Sequence, residues 1–176
     1  MPNLRFDAVS CQFALHYSFQ TEAQAKQLLL NATERLKPGG FFFCTVPDAY
    51  VLVKKLRAIH ASQAEKSFGN KFYKITFEKD KFPDKNGAFG LKYHFQLKDT
   101  EDDSLVDCPE YLVHPRKFVR LAKQFKLNVT EELNFHEFYE KYSQNEYYGG
   151  MLAKQVKRNG IMNNEEWDTS CTFFFL

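Results

Sequence analysis

An α/β fold is the class this sequence predicts, and three observations carry the prediction. Two runs near the start, "FDAVSCQF" (6–13) and "FFFCTV" (41–46), are mostly apolar rather than alternating, the pattern of strands covered on both faces. Each is followed by apolar residues at helical spacing. Later, "LKYHFQL" (91–97) alternates strictly, as a half-exposed antiparallel strand does.

Taken in order, the first strand gives way to Thr21 and Gln24, spaced as a T-x-x-Q capping box. Ala25, Leu28, Leu29, Ala32 and Leu36 then fall on one helical face, and "KPGG" (37–40) predicts the stop. After the second strand, Asp48 can cap a helix carrying Leu52, Val53, Leu56 and Ile59. Strand, helix, strand, helix predicts a doubly wound sheet with right-handed crossovers. The pattern changes after about Ser67. "FYKITF" (72–77) reads as a short strand, and "KFPDKNGAFG" (81–90) as a turn-rich connector. In 91–97, Leu91, Tyr93, Phe95 and Leu97 share one face, with Lys92, His94 and Gln96 on the other. Residues 67–97 are therefore expected to form a β insertion in the α/β frame. Pro115 suits the first position of a helix with Phe118, Leu121, Ala122 and Phe125 on its apolar side. "LNVTEEL" (127–133) predicts a strand. Phe135, Phe138, Tyr139 and Tyr142 predict a helix that "YYGG" (147–150) breaks, and "TSCTFFFL" (169–176) predicts a closing strand.

Composition narrows the chemistry. The 176 residues suit one domain, and 44% hydrophobic with 26% charged residues is ordinary for a globular chain. Nineteen Phe and nine Tyr against one Trp make it rich in rings; most belong in a core, and a few can stack on a planar ligand such as a base. A net charge of +2 is not the field of a protein that holds duplex DNA by counterion release. Cys11, Cys44, Cys108 and Cys171 are far apart and form no C-x-x-C pair, so neither zinc nor a disulfide scaffold is expected, and buried free thiols in a reducing compartment are. No apolar run approaches membrane-spanning length and no signal-peptide pattern opens the chain. G-x-G-x-x-G, G-x-S-x-G, H-E-x-x-H and the P-loop pattern are all missing, and His60, His94, His114 and His136 lack metal-ligand spacing. No metal is expected.

Candidate site residues come from strand ends, because ligands in open α/β sheets bind beyond the carboxyl ends of the strands. Gln12, His16 and Tyr17 follow the first apolar run, and "TVPD" (45–48) ends the second. Glu110, in "DCPEYL", is costly to bury unless solvated or paired. A carboxylate there would match the adjacent N1–H and N2–H donors of guanine. Phe173 in the last run suits either core or rim. Local chemistry also leaves plainer roles open: Gln12 and His16 shaping the next helix, 45–48 as a simple turn, Glu110 at the surface.

Together "SCQFALHYSF", "NATERLKPGGFFFCTVPD", "SFGNKFYKITF", "FGLKYHFQL", "VDCPEYLVH" and "EEWDTSCTFFF" occur in an order that resembles the eukaryotic mRNA cap guanine-N7 methyltransferases. The resemblance implies a partial Rossmann-like, class I S-adenosylmethionine-dependent methyltransferase fold, comprising the later strands and helices of the sheet. It implies transfer of a methyl group from S-adenosylmethionine to N7 of the guanine of a capped mRNA 5′ end, with Gln12 and Tyr17 lining the donor site. Phe13, His16, Pro47 and Glu110 would face the cap guanine. Phe173 stands where the family carries a tyrosine in its final strand. It also implies that 1–176 is the C-terminal, cap-facing part of a catalytic domain, without the glycine-rich donor-binding part, to be completed by an upstream segment or a partner chain. A nuclear location follows from the family alone. The competing expectation is a non-catalytic cap- or nucleotide-binding or regulatory module that pairs with another methyltransferase chain, and a methyltransferase for another substrate is a third.

Overall fold

A computed structural model describes residues 4–59, 65–78, 87, 89–98, 104–156 and 162–176. Strand β1 (Phe6–Gln12) runs parallel to β2 (Leu36–Pro47), joined by helix α1 (Glu22–Thr33). Thr21 caps α1 as expected, accepting from the Gln24 N–H at 3.2 Å. The helix ends ahead of "KPGG", and those residues bulge out of β2, where Phe6 pairs with Leu36 but Ala8 with Phe41. Gly39 at φ +77° supplies the turn, and a Cβ on Gly40 would sit 2.8 Å from the Asp7 carbonyl oxygen.

Asp48 caps α2 (Ala49–Ala58), its carboxylate accepting from the N–H groups of Tyr50 and Val51. Next comes an antiparallel sheet of β3 (Ser67–Gly69), β4 (Tyr73–Phe77), β5 (Lys92–Lys98) and β6 (Ser104–Tyr111), in that order. The insertion thus reaches Tyr111, beyond the expected limit of 97, because β6 pairs along the whole of β5. Most of the 81–90 connector, and His60, lie outside the described residues. Helix α3 (Pro115–Gln124) starts at its proline and buries Phe118, Leu121 and Ala122. Then follow β7 (Leu133–Asn134), α4 (Phe135–Tyr142), α5 (Glu146–Val156), α6 (Asn164–Ser170) and β8 (Phe173–Phe175).

The first sheet has the order β1-β2-β8-β7, with β8 antiparallel to both neighbours. Of the doubly wound sheet expected, the described residues show one parallel β-α-β unit, extended by two antiparallel strands. β1 is an edge strand and largely exposed, with Phe6 at 42% accessibility, so the expectation of two covered faces does not hold for it. The strand expected over 127–133 shrinks to Leu133–Asn134, since β8 offers β7 only Phe174 and Phe175 as partners. The predicted break at "YYGG" is instead helix: Asn145 accepts from the Tyr147 and Tyr148 N–H groups, and Gly149 lies inside α5. Only Cys44 of the four free cysteines is fully buried.

Two apolar cores result. One packs α1, α3 and the 3-10 turn Leu15–Gln20 against the parallel unit through Leu15, Phe19, Leu29, Val46, Phe118 and Phe174. The other packs α2 against the insertion through Leu52, Leu56, Tyr73, Ile75, Tyr93 and Phe95. Alternation along β8 sends Phe174 to the first core and Phe173 to the second. The carboxyl ends of β1 and β2 open at the seam between them.

Candidate cap-guanine site

The chain leaves β1 through Phe13, whose φ of +50° is a strained value for a bulky residue. Its N–H is held by the carbonyl and the hydroxyl of Thr45, at 3.1 and 3.0 Å. That conformation leaves the Phe13 ring 47% exposed at the strand end. It meets Phe173 edge-on at 5.2 Å and Phe135 at 6.3 Å, while Phe173 and Phe135 are 5.8 Å apart. Phe173 lies directly opposite Pro47 in the β2–β8 pairing. Three rings and a proline therefore make an apolar wall on the rim.

The 3-10 turn then carries the chain along one face of β6. His16 Nε2 lies 3.2 Å from Glu110 Oε1, and the Tyr17 hydroxyl 3.4 Å from Cys108 Sγ, two residues earlier on that strand. Tyr93, opposite Glu110 in the β5–β6 register, donates its hydroxyl hydrogen to Glu110 Oε2 at 2.6 Å. His16 and Glu110 are only 2% and 4% exposed. Their approach lacks hydrogen-bond alignment, so both imidazole nitrogens stay without a hydrogen-bond partner among the described residues. Burial, reinforced by the Glu110 charge, holds the Tyr93 hydroxyl far above its ordinary pKa, so it remains a donor. Tyr17 is shifted upward too, by burial first and then by Cys108 and Glu110.

The polar group and the ring wall are neighbours, because Tyr93 and Phe95 point to the same side of β5 and Phe95 touches Phe173 at 6.3 Å. Of the residues singled out in the sequence, the fold thus gathers Phe13, His16, Tyr17, Pro47, Glu110 and Phe173 at one seam. Gln12 stays apart: it ends β1 in the open, its amide donating to Ser10 Oγ at 3.1 Å. The sequence reading placed Thr45 in the strand-end candidate "TVPD" but passed over Tyr93 and Phe135 as site residues. Tyr93 carried a usable signal, a hydroxyl on the buried face of an alternating strand, which must find a partner. A groove of about 680 Å³, lined by residues such as Phe41, Phe118 and Val129, contains none of the predicted residues. The seam is identified by its chemistry and not by cavity size. Among the described residues no cluster of His, Cys, Asp or Glu is placed to hold a metal ion.

The profile of the mRNA (guanine-N(7))-methyltransferase domain matches residues 1–174. The chain belongs to that family. It is 39% identical over 175 residues to mRNA cap guanine-N(7) methyltransferase 1 of Oryza sativa, covering 94% of this chain and 45% of that protein. It is 41% identical over 157 residues to the Drosophila melanogaster mRNA cap guanine-N(7) methyltransferase, covering 88% of this chain and 34% of the relative. The chain therefore spans a third to just under half the length of these relatives. Among solved structures, a S-adenosylmethionine-dependent methyltransferase from Clostridium acetobutylicum overlays with a TM-score of 0.45 at 15% identity, covering 75% of this chain and 51% of that one.

Proposed function

We propose that this chain forms the guanine-reading part of an mRNA cap guanine-N7 methyltransferase, and that the seam holds the cap guanine. The observation that carries the reading is a buried Glu110 carboxylate, oriented by Tyr93 at 2.6 Å and faced by His16 at 3.2 Å, with the exposed Phe13 only three residues before that histidine. A carboxylate satisfies two adjacent N–H donors at once, which guanine presents and adenine does not. In the proposed complex, guanine's two donors take Oε1, which now faces His16, and the remaining lone pair of Oε2 beside the Tyr93 hydrogen bond. Phe13 and Phe173 supply ring contact, and Pro47 closes the rim. Rings and carboxylate both favour the base more once it becomes a cation.

Guanine N7 carries a lone pair and no proton, so methyl transfer from a sulfonium donor needs alignment and a suitable field rather than an acid–base pair. S-adenosylmethionine would supply the methyl group already activated by its positive charge. Gln12, exposed at the end of β1, and Tyr17, five residues on with its hydroxyl against Cys108, are the residues assigned to the donor side. Capped mRNA as substrate, and a nuclear location, belong to the same proposal and rest on the family.

The test is calorimetric titration of this chain with the dinucleotides GpppG and ApppA. GpppG is expected to bind more tightly by about 100-fold, because a site built to pair donors rejects a ligand that lacks them. Glu110→Gln should erase that preference. Equal binding of both dinucleotides by the unaltered chain would overturn the reading.

A further inference from the structure

The run 111–130 holds Arg116, Lys117, Arg120, Lys123 and Lys126 and no acidic residue. It is thus +5 in a chain whose net charge is +2, so the other residues sum to −3. Most of this charge sits on α3. Phe118, Leu121 and Ala122 face the core, while Arg116, Arg120 and Lys123, at i, i+4 and i+7, form an exposed stripe on the opposite side. Elsewhere seven lysines are each ion-paired with a carboxylate. The three residues of the stripe have no ion pair among the described residues. Like charges at this spacing repel and destabilise an isolated helix. Packing of Phe118, Leu121 and Ala122 holds α3 in place despite that repulsion, and a bound anion would relieve it.

The helix begins five residues after Glu110, at the same rim as Pro47. His114 precedes its first residue, and the Tyr50 ring, three residues beyond Pro47, meets His114 edge-on at 5.7 Å. Tyr50 is 49% exposed. An exposed ring at the head of a cationic stripe about 10 Å long is the combination that holds single-stranded nucleic acid, with phosphates on the charges and a base on the ring.

We infer that α3 is a track for single-stranded RNA, binding the phosphates of the nucleotides that follow the 5′ end, with Tyr50 stacking on one of their bases. The inference rests on the cap reading for its direction along the chain. It does not rest on that reading for the binding itself, which the stripe supplies alone. The contacts are to backbone, so they carry affinity and little sequence preference.

The experiment measures fluorescence anisotropy of an uncapped single-stranded RNA of about 12 nucleotides with this chain, across about 50 to 200 mM salt. The triple variant Arg116→Gln/Arg120→Gln/Lys123→Gln is compared with Lys54→Gln/Arg57→Gln/Lys154→Gln, which removes three exposed cations elsewhere. The stripe variant should bind at least about tenfold more weakly, with a log–log salt slope shallower by about 2, near 0.7 for each lost phosphate contact. The control should stay near wild type, and GpppG binding should be unchanged in both. Tyr50→Ala should weaken RNA binding by about fivefold or more, at constant salt slope. Equal losses in the two triple variants, or a stripe that binds poly-glutamate but not RNA, would overturn the inference. Failure of the cap reading shows only in the dinucleotide titration, so the two can fail independently.

Discussion

Two contacts between a nitrogen base and a carboxylate look alike on paper and differ in alignment, partners and burial. Lys55 of α2 reaches Asp168 of α6 with contacts of 2.6 and 2.8 Å and adds a bond to the Tyr73 hydroxyl. It is well aligned, fully partnered and half open to water, with side chains 26% and 47% exposed. His16 and Glu110 are at 3.2 Å, poorly aligned and almost sealed, at 3% and 5%. The first pair is a latch between α2 and the segment before β8. The second keeps unspent hydrogen-bonding capacity inside the protein, which is costly unless a ligand uses it. Satisfied geometry marks the structural pair, and dissatisfaction marks the candidate site.

The largest effect expected from breaking this contrast is at His16. His16→Ala leaves the Glu110 carboxylate buried with the Tyr93 hydroxyl as its remaining partner, a loss on the order of 3 kcal/mol in urea unfolding. A loss below about 1 kcal/mol would place His16 with the surface pairs and remove the distinction. Tyr93→Phe comes next. It deletes a 2.6 Å hydrogen bond to a charged group while keeping the ring, and should cost about 2 kcal/mol. If Tyr93 also orients Glu110, the variant should lose much of the GpppG preference even where it is folded. Full preference with lost stability would confine Tyr93 to packing.

Much of the frame was legible because it rests on local rules. Thr21, Asp48 and Pro115 each announce a helix start through their own chemistry, and alternation over 91–97 gave β5 and its buried face. What failed needed non-local facts. Residues 127–132 have strand-like composition, yet a strand exists only where a partner does, and β8 is three residues long. The glycines at 149 and 150 look like a helix break. A Cβ at Gly149 would instead lie 2.3 Å from the Ser143 carbonyl oxygen, so that residue permits close packing of α5 on the preceding turn. For the site, strand ends and one acidic residue between a proline and an apolar run named residues that the fold brings close together. Tyr93 was missed because its role depends on β6 pairing opposite it, about seventeen residues later in sequence.

The smallest expected effect, at the latch, sharpens the comparison most. Asp168→Asn should cost well under 1 kcal/mol, since exposed pairs are screened and entropically taxed even when the geometry is good. Raising salt to about 1 M should shrink that cost further while leaving the His16→Ala cost nearly unchanged, because buried charges are screened less. The pH dependence separates the two as well. Burial pulls the Lys55 ammonium down, but hydrogen bonds to Asp168 and Tyr73 outweigh it and the net shift is upward. A raised folded-state pKa means that the latch contribution is complete below the ordinary lysine range and is lost as pH climbs through the raised value. Urea titrations of wild type and Asp168→Asn should therefore run parallel through neutral pH and converge only in alkali. A gap that closed near neutrality would mean that Lys55 loses its proton there, and that the latch is the more strained of the two pairs.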